Sequence, residues 1–115
     1  MTSEFVHLHN HSDYSLLDGA QQVQQLVNTI DDLNMDSLAL TEHGNMFSVV
    51  PFYQKAKKAG ISPIIGCETY VAVGSRHDKK LQPGGGWGNN HLILLVQNQI
   101  GYENLMKLVT AGYLE

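Results

Sequence analysis

The sequence predicts an α/β fold, and three observations lead to this prediction. Segments with the hydrophobic period of a strand alternate along the chain with segments that have the period of a helix. Their order, strand, helix, strand, helix, strand, is that of parallel βαβ units, whose functional sites collect at the carboxyl ends of the strands. The 115 residues, of which 43% are hydrophobic, suffice for one domain of modest size.

The first half of the chain supplies two strands and the helix between them. Residues 5–9 have the alternation of a strand, and residues 37–41 are predicted to form the second one. The helix is indicated by apolar residues on a single stripe that ends near Asn34: Val23, Leu26, Val27, Ile30 and Leu33.

The second half continues the alternation. A helix over residues 47–58 ends at Gly60, and a longer third strand covers residues 61–73. Residues 74–90 form a glycine-rich loop that contains Trp87 and is too long to be a plain connector. A fourth strand at 92–96 precedes a helix at 102–114, whose inward residues are predicted to be Leu105, Leu108, Val109 and Tyr113.

Composition excludes several classes of protein. The net charge of −4 gives no general electrostatic attraction for a nucleic-acid backbone. No stretch approaches the roughly 18 apolar residues of a membrane helix, and the N-terminus lacks the order of a signal peptide. We therefore expect a cytoplasmic protein with no membrane partner. The single cysteine, Cys67, excludes an internal disulfide and is expected to be a small buried side chain.

Three histidines alternate along the first predicted strand. His7, His9 and His11 would share one face of that strand, because side chains two residues apart point the same way. Grouped imidazoles are typical metal ligands. The alternatives are a remnant of a purification tag and a solvated edge strand.

Further ligand types recur where predicted strands end. His43 follows the second strand, Glu68 lies at the end of the apolar part of the third, and Asp18 precedes Gly19 in the first loop. The ordinary alternatives are that Asp18 is a turn residue before a glycine, that His43 is a loop histidine and that the neighbouring Glu42 is solvated. Together they form a mixed nitrogen and oxygen set that suits zinc, manganese or iron better than calcium.

Five segments resemble one known family. Residues 5–19, FVHLHNHSDYSLLDG, are similar to the opening motif of the polymerase and histidinol phosphatase (PHP) domain, in the version that opens the alpha subunit of bacterial DNA polymerase III. The other segments that resemble this family are LTEHGN at 40–45, residues 52–68, HLILL at 91–95 and GYENL at 101–105. The resemblance therefore runs along essentially the whole chain.

The resemblance implies a fold and a ligand set. The fold would be part of a distorted (β/α)7 barrel, with about four strands and flanking helices present here. The cofactor would be a divalent metal (zinc, manganese or iron) in a di- or trinuclear site. The matching metal ligands are His9, His11, Asp18, His43, Glu68 and His91. His7 resembles a residue that recurs beside these ligands in the family, and no role is assigned to it.

The sequence departs from the family in two ways. The family usually has Asp before the histidine of its second motif, and Glu42 stands there instead. We expect this longer side chain to alter the surroundings of the ligands rather than the ligands themselves. In addition, the family's later ligands would lie past residue 115, so the chain resembles the N-terminal part of the domain, residues 1–115. Such a segment is expected to hold only part of the family's metal site and to lack a polymerase active site.

The position of His91 requires a particular topology. A ligand at the start of a strand lies at the wrong end of a parallel sheet. Either the strand after the long loop returns antiparallel to the third strand as a hairpin, or His91 is not a ligand. We expect the hairpin.

The resemblance leaves more than one function open. The parent protein would be a DNA-directed DNA polymerase, a nucleotidyltransferase of DNA replication. Its PHP site would be a phosphoesterase that cleaves pyrophosphate or acts as a 3′ to 5′ exonuclease. The partners would be the remainder of the alpha chain and replicase subunits including the proofreading exonuclease, with DNA bound through the full-length protein only.

The alternatives are a non-catalytic module that docks the proofreading subunit and a stand-alone phosphoesterase similar to histidinol phosphatase. The second shares the metal motifs but not the YSLLDG or GYENL segments. Because all six matching positions hold ligand types, we expect a metal site.

Overall fold

The computed structural model describes residues 4–78 and 89–115. Within these ranges the elements follow in the order α1 (Val23–Asp32), β1 (Ser37–His43), α2 (Val49–Lys58), β2 (Ser62–Ala72), β3 (Asn89–Leu95) and α3 (Gln99–Leu114). The predicted α/β class is therefore confirmed. Trp87 and most of the glycine-rich loop lie outside the described residues.

The three strands form one sheet in the order β1, β2, β3. β1 and β2 run parallel, and their pairing ends where His43, the last residue of β1, lies opposite Glu68. The helix α2 makes the crossover between them, because parallel strands cannot be joined by a tight turn. This βαβ unit is the one that the sequence predicts, and it brings two candidate ligands to the same edge.

β2 and β3 form an antiparallel pair in which Tyr70 lies opposite His91. The expected hairpin is therefore confirmed. Because β3 runs in the opposite direction, its first residues lie beside the last residues of β2. His91 consequently reaches the same edge of the sheet as Glu68.

Residues 5–9, predicted as the first strand, do not form a regular strand. The N–H of Ala39 donates to the carbonyl of His7 at 3.0 Å, and that of Thr41 donates to the carbonyl of Asn10 at 2.9 Å. The two accepting residues, His7 and Asn10, are three positions apart, whereas the two donating residues, Ala39 and Thr41, are two positions apart. The N-terminal segment therefore has one extra residue between its hydrogen bonds to β1, as in a β-bulge, and regular strand pairing is interrupted there. The described sheet thus has three strands and not four, with this segment lying along β1.

The hydrophobic core lies between the two first helices and β1. Val27 of α1, Leu38 of β1 and Phe52 of α2 are at most 1% exposed. The predicted stripe of α1 is buried except for Leu33, which lies beyond the end of the helix and is 53% exposed. Asn34 follows with a positive φ of 55°, a conformation that ends the helix and that asparagine tolerates.

The helix α3 begins three residues earlier than predicted, because the side chain of Asn98 caps it by accepting from the N–H of Gly101 at 3.0 Å. Leu105 is buried as predicted, but Leu108 and Tyr113 are 56% and 63% exposed. The prediction that they point inward is wrong, because both line an open cleft beside the sheet. No helix in the described ranges has the length and apolar character needed to cross a membrane.

Candidate metal centre

The six predicted ligands lie together at the carboxyl edge of β1 and β2. They form three overlapping groups of three, and within each group one ligand atom per residue lies within 4.8 Å of the others. The groups are His9, His11 and Glu68; His11, Asp18 and His43; and His43, Glu68 and His91. Three of the residues belong to two groups each, so the cluster is continuous.

Glu68 is the centre of the cluster, and its side chain is 2% exposed. Its Oε2 lies 2.7 Å from Nε2 of His9 and 2.9 Å from Nε2 of His11. Its Oε1 contacts Nδ1 of His91 and lies 3.6 Å from Nδ1 of His43. One buried carboxylate therefore faces four imidazoles.

The environment keeps Glu68 ionised. Burial raises its pKa, but the hydrogen bond from His9 and the electrostatic attraction of His43 and His11 outweigh burial and hold the pKa below the usual 4.5. The side chain is therefore a carboxylate at neutral pH, which is the form that binds a cation.

The imidazole rings of the cluster lie close to one another. His11 stacks on His43 with ring centroids 4.1 Å apart, and His9 meets His11 at 5.0 Å. His91 meets His43 at 5.8 Å. An imidazole in its neutral form has a nitrogen lone pair that can bind a metal, so the rings bring several potential ligand atoms into one small space.

His11 carries a buried polar atom that lacks a partner. Its Nδ1 is inaccessible to solvent and has no hydrogen-bond partner among residues 4–78 and 89–115. Buried polar atoms are nearly always paired, so such an exception is expected where an ion completes the site. With the surrounding imidazoles and carboxylates, this atom fits a divalent cation such as zinc, manganese or iron.

Asp18 reaches the cluster because the loop over residues 12–19 folds back on itself. The N–H of Ser15 donates to the carbonyl of Ser12 at 2.9 Å, and that of Gly19 donates to the carbonyl of Ser15 at 2.8 Å. A Cβ at Gly19 would lie 1.7 Å from the carbonyl oxygen of Ser12, so only glycine fits there. The compact loop brings Oδ2 of Asp18 to 2.5 Å from Nε2 of His43.

Glu42 lies next to the cluster in sequence but takes no part in it. Its carboxylate is 1% exposed and accepts from the N–H of Ser12 at 3.1 and 3.2 Å, from the hydroxyls of Ser12 and Ser15, and from that of Ser48 at 2.9 Å. The hydroxyl of Ser15 also accepts from the N–H of His43 at 3.1 Å. Glu42 thus joins the ligand-bearing loop and the start of α2 to the end of β1.

Tyr70 is a neighbour of the cluster that the sequence analysis missed. Its ring is parallel to that of His43 at 6.3 Å and meets the edge of His91 at 4.9 Å, and its hydroxyl lies 3.3 Å from Nδ1 of His43. Burial, followed by the charges of Glu68 and Asp18, raises its pKa above 10, so the hydroxyl stays protonated. Strand periodicity could have indicated Tyr70, because side chains two residues apart in a strand point to the same face, and residue 70 is two positions after Glu68.

His7 does not belong to any of the three groups. Its ring meets that of Phe5 edge-on, with centroids 4.8 Å apart. The alternating histidines therefore contribute two members to the cluster, His9 and His11, and the third stands apart from it.

The chain matches known proteins over nearly its whole length. Residues 7–115 match the PHP domain family. DNA polymerase III subunit alpha of Borreliella burgdorferi is 52% identical over 98% of this chain and 10% of that protein. The same subunit of Treponema pallidum is 50% identical over 96% of this chain and 9% of that protein. The chain thus spans about a tenth of the length of the curated relatives it matches.

Solved structures share the fold at low identity. A protein described as a metal-dependent phosphoesterase from Bifidobacterium adolescentis aligns with a TM-score of 0.59 and 15% identity over 93% of this chain and 34% of its own. An amidohydrolase from Chromobacterium violaceum aligns with a TM-score of 0.57 and 20% identity over 89% of this chain and 32% of its own. These neighbours are consistent with a partial (β/α) barrel. Given the match over residues 7–115, the chain belongs to the PHP domain family.

Proposed function

We propose that the six-residue cluster binds two or three divalent metal ions and that this centre hydrolyses phosphoesters. The observation that carries the proposal is the overlap of the three ligand groups around the buried carboxylate of Glu68. Residues shared between groups are expected where neighbouring ions act on one substrate, because a single bridging carboxylate can hold two ions.

Each group of three would hold one ion, and Glu68 would take part in holding two of them. Ions bound in this way lower the pKa of water and stabilise charge on phosphoryl oxygens. The chain itself orients the site: Glu42 holds the loop that carries Asp18, and Glu68 fixes the imidazole rings. The protonated hydroxyl of Tyr70 stands at the edge of the cluster as a donor for a phosphate oxygen.

The biological setting that we propose is DNA replication. The supporting observation is the identity of about 50% with alpha subunits of DNA polymerase III, of which the chain spans about a tenth. The chain would be the N-terminal PHP segment of such a subunit in the cytoplasm. Polymerase activity and DNA binding would belong to the rest of the protein. Its partners would be that remainder and the replicase subunits, including the proofreading exonuclease, and the hydrolysed bond would lie in pyrophosphate or at a DNA 3′ end.

A non-catalytic module that docks the proofreading subunit is the second candidate. The apolar side chains exposed on the second and third helices favour it, since exposed apolar patches mark interaction sites. It differs from the hydrolytic proposal in one respect: a docking module does not need a complete set of ligands. All six positions of this chain that match ligands of the family hold ligand types, which favours the metal centre.

Metal content after dialysis tests the proposal, with Glu68→Gln compared against Glu103→Gln, an exposed carboxylate on α3. We expect about two or three ions per chain in the parent and in Glu103→Gln, and loss of most of them in Glu68→Gln. Equal metal content in all three proteins would contradict the assignment of the ligands.

Hydrolysis is tested with a phosphodiester and a 3′-recessed DNA in the presence of manganese. The matched pair is His9→Ala and His7→Ala, two histidines of one segment of which only the first lies in the cluster. We expect metal-dependent hydrolysis to be lost in His9→Ala and kept in His7→Ala, with no primer extension by any of the proteins. Bound metal without hydrolysis in the parent would favour the docking module instead.

A further inference from the structure

A cleft of about 450 Å³ lies between the end of β2 and the second half of α3. This volume falls within the range of about 300–1,000 Å³ that is usual for ligand pockets. The residues that line it include Tyr70 of β2 and Leu108, Val109 and Tyr113 of α3, together with His43 at the end of β1 and Arg76 beyond the end of β2. The predicted ligand set and the family match leave the cleft unexplained.

The cleft opens directly onto the metal cluster. His43 belongs to both, since it lines the cleft and takes part in two of the ligand groups. Tyr70 forms the boundary: its ring lies parallel to that of His43 and meets His91 edge-on at 4.9 Å. The cleft is therefore adjacent to the cluster, within reach of a molecule that has its phosphate there.

The other wall of the cleft offers two further kinds of contact. Leu108 and Tyr113 are 56% and 63% exposed, so this part of α3 presents an apolar and aromatic surface. Arg76 is 65% exposed, and its Nη2 lies 2.5 Å from an oxygen of Glu115. An ion pair that is this exposed is weak, so its guanidinium can exchange the carboxylate for a phosphate.

We propose that the cleft is a subsite for the nucleoside part of a nucleotide whose phosphate is held at the metal cluster. The base stacks on the aromatic surface of Tyr70 and Tyr113, and Arg76 takes the next phosphate of a chain. Stacking on aromatic rings is tolerant of base identity, so the subsite accepts all four bases. This inference rests on the proposed function, because it takes the cluster as the site of the phosphate.

Gly112 allows a direct test, because it lines the cleft and a Cβ added there has no atom of the described residues within 4 Å. Gly112→Leu therefore fills the cleft without disturbing the helix. Its matched control is Ala111→Leu, the preceding residue of α3, which lines a different surface groove. Thermal unfolding monitored by circular dichroism checks that both variants keep their fold.

Isothermal titration of the manganese-loaded chain compares three probes: 2′-deoxyadenosine 5′-monophosphate, 2-deoxyribose 5-phosphate and inorganic phosphate. We expect the nucleotide to bind about tenfold more tightly than phosphate. Gly112→Leu should remove this advantage and leave the affinity for phosphate unchanged, whereas Ala111→Leu should keep it. Arg76→Gln, a second variant outside the helix, should weaken the binding of a dinucleotide with a 5′-phosphate about fivefold.

The outcomes separate the inference from the proposed function. Phosphate and manganese binding with no advantage for the nucleotide would overturn the subsite and leave the metal centre in place. The same holds if 2-deoxyribose 5-phosphate binds as tightly as the nucleotide, because the base would then make no contact. A chain that binds no manganese would overturn the proposed function, and the subsite with it.

Discussion

Two buried glutamates, Glu42 and Glu68, show at the scale of single residues how the site is built. The partners of Glu42 are an amide and three hydroxyls, whereas those of Glu68 are imidazoles. The first set holds a loop in place, and the second gathers candidate ligands around one charge. The sequence indicates Glu68 because it follows the apolar part of a strand. It does not indicate the serine partners of Glu42, two of which, Ser12 and Ser15, lie in a loop far away along the chain.

Replacing Glu42 should cost stability. In Glu42→Ala the hydroxyls of Ser12, Ser15 and Ser48 lose a buried acceptor, so we expect the free energy of unfolding to fall by about 3 kcal/mol. Urea denaturation measures this change, with the exposed Glu103→Ala as the control. A change below about 0.5 kcal/mol, the range of ordinary surface substitutions, would show that the network is not structural.

Cys67 should be unreactive in the folded chain. Burial raises the pKa of its thiol from 9.0 to about 11, so the reactive thiolate is scarce at pH 8 and increases only as the pH approaches the raised pKa. We expect a thiol reagent at pH 8 to modify Cys67 slowly in the native chain and rapidly in denaturing urea. Equally fast modification in both conditions would show that the thiol is accessible.

Among the helices and strands, the sequence predicts those whose hydrophobic pattern matches their burial in the folded chain. The helix α1 and the βαβ unit were predicted because each buries one apolar face. The segment over residues 5–9 has the pattern of a strand, but its pairing with β1 contains an extra residue that no local pattern reveals. Leu108 has the spacing of a buried helical residue, yet it lines a cleft, and spacing alone cannot distinguish the two.

The loop that carries Asp18 should depend on Gly19. An added Cβ there would lie 1.7 Å from the carbonyl oxygen of Ser12, so Gly19→Ala forces the loop open and moves Asp18 away from His43. We expect a loss of about 3 kcal/mol or more in stability and a lower affinity for metal. Thermal unfolding and metal titration check both effects.

The control is Gly74→Ala, since a Cβ at Gly74 meets no atom within 4 Å in residues 4–78 and 89–115. That variant should unfold and bind metal like the parent. A Gly19→Ala protein that also behaves like the parent would contradict the close packing of the loop.

At the scale of the whole molecule, the described residues leave much apolar surface uncovered. A groove of about 380 Å³ runs between α2 and the start of α3, and among its lining residues Val50 and Tyr53 are 61% and 49% exposed. The core beneath α1 and α2, in contrast, is fully packed around Val27 and Phe52. Such uncovered surface favours association between molecules.

We expect the 115-residue chain to associate reversibly in solution, with an average mass that rises with concentration in sedimentation equilibrium. Val50→Glu places a charge in the groove and should shift the chain toward the monomer. Leu33→Glu, at an exposed leucine away from the groove, should leave association unchanged. A parent chain that is monomeric at all concentrations would contradict this expectation. So would an equal shift toward the monomer in Val50→Glu and Leu33→Glu.

Every function proposed for the six clustered residues requires that they bind divalent metal. Anomalous diffraction from crystals grown with manganese, and separately with zinc, tests this claim directly. We expect at least two anomalous peaks between Glu68 and the rings around it, each about 2.0–2.2 Å from the nearest nitrogen and oxygen atoms. The absence of peaks there, or peaks only at an exposed residue such as His77, would contradict the account.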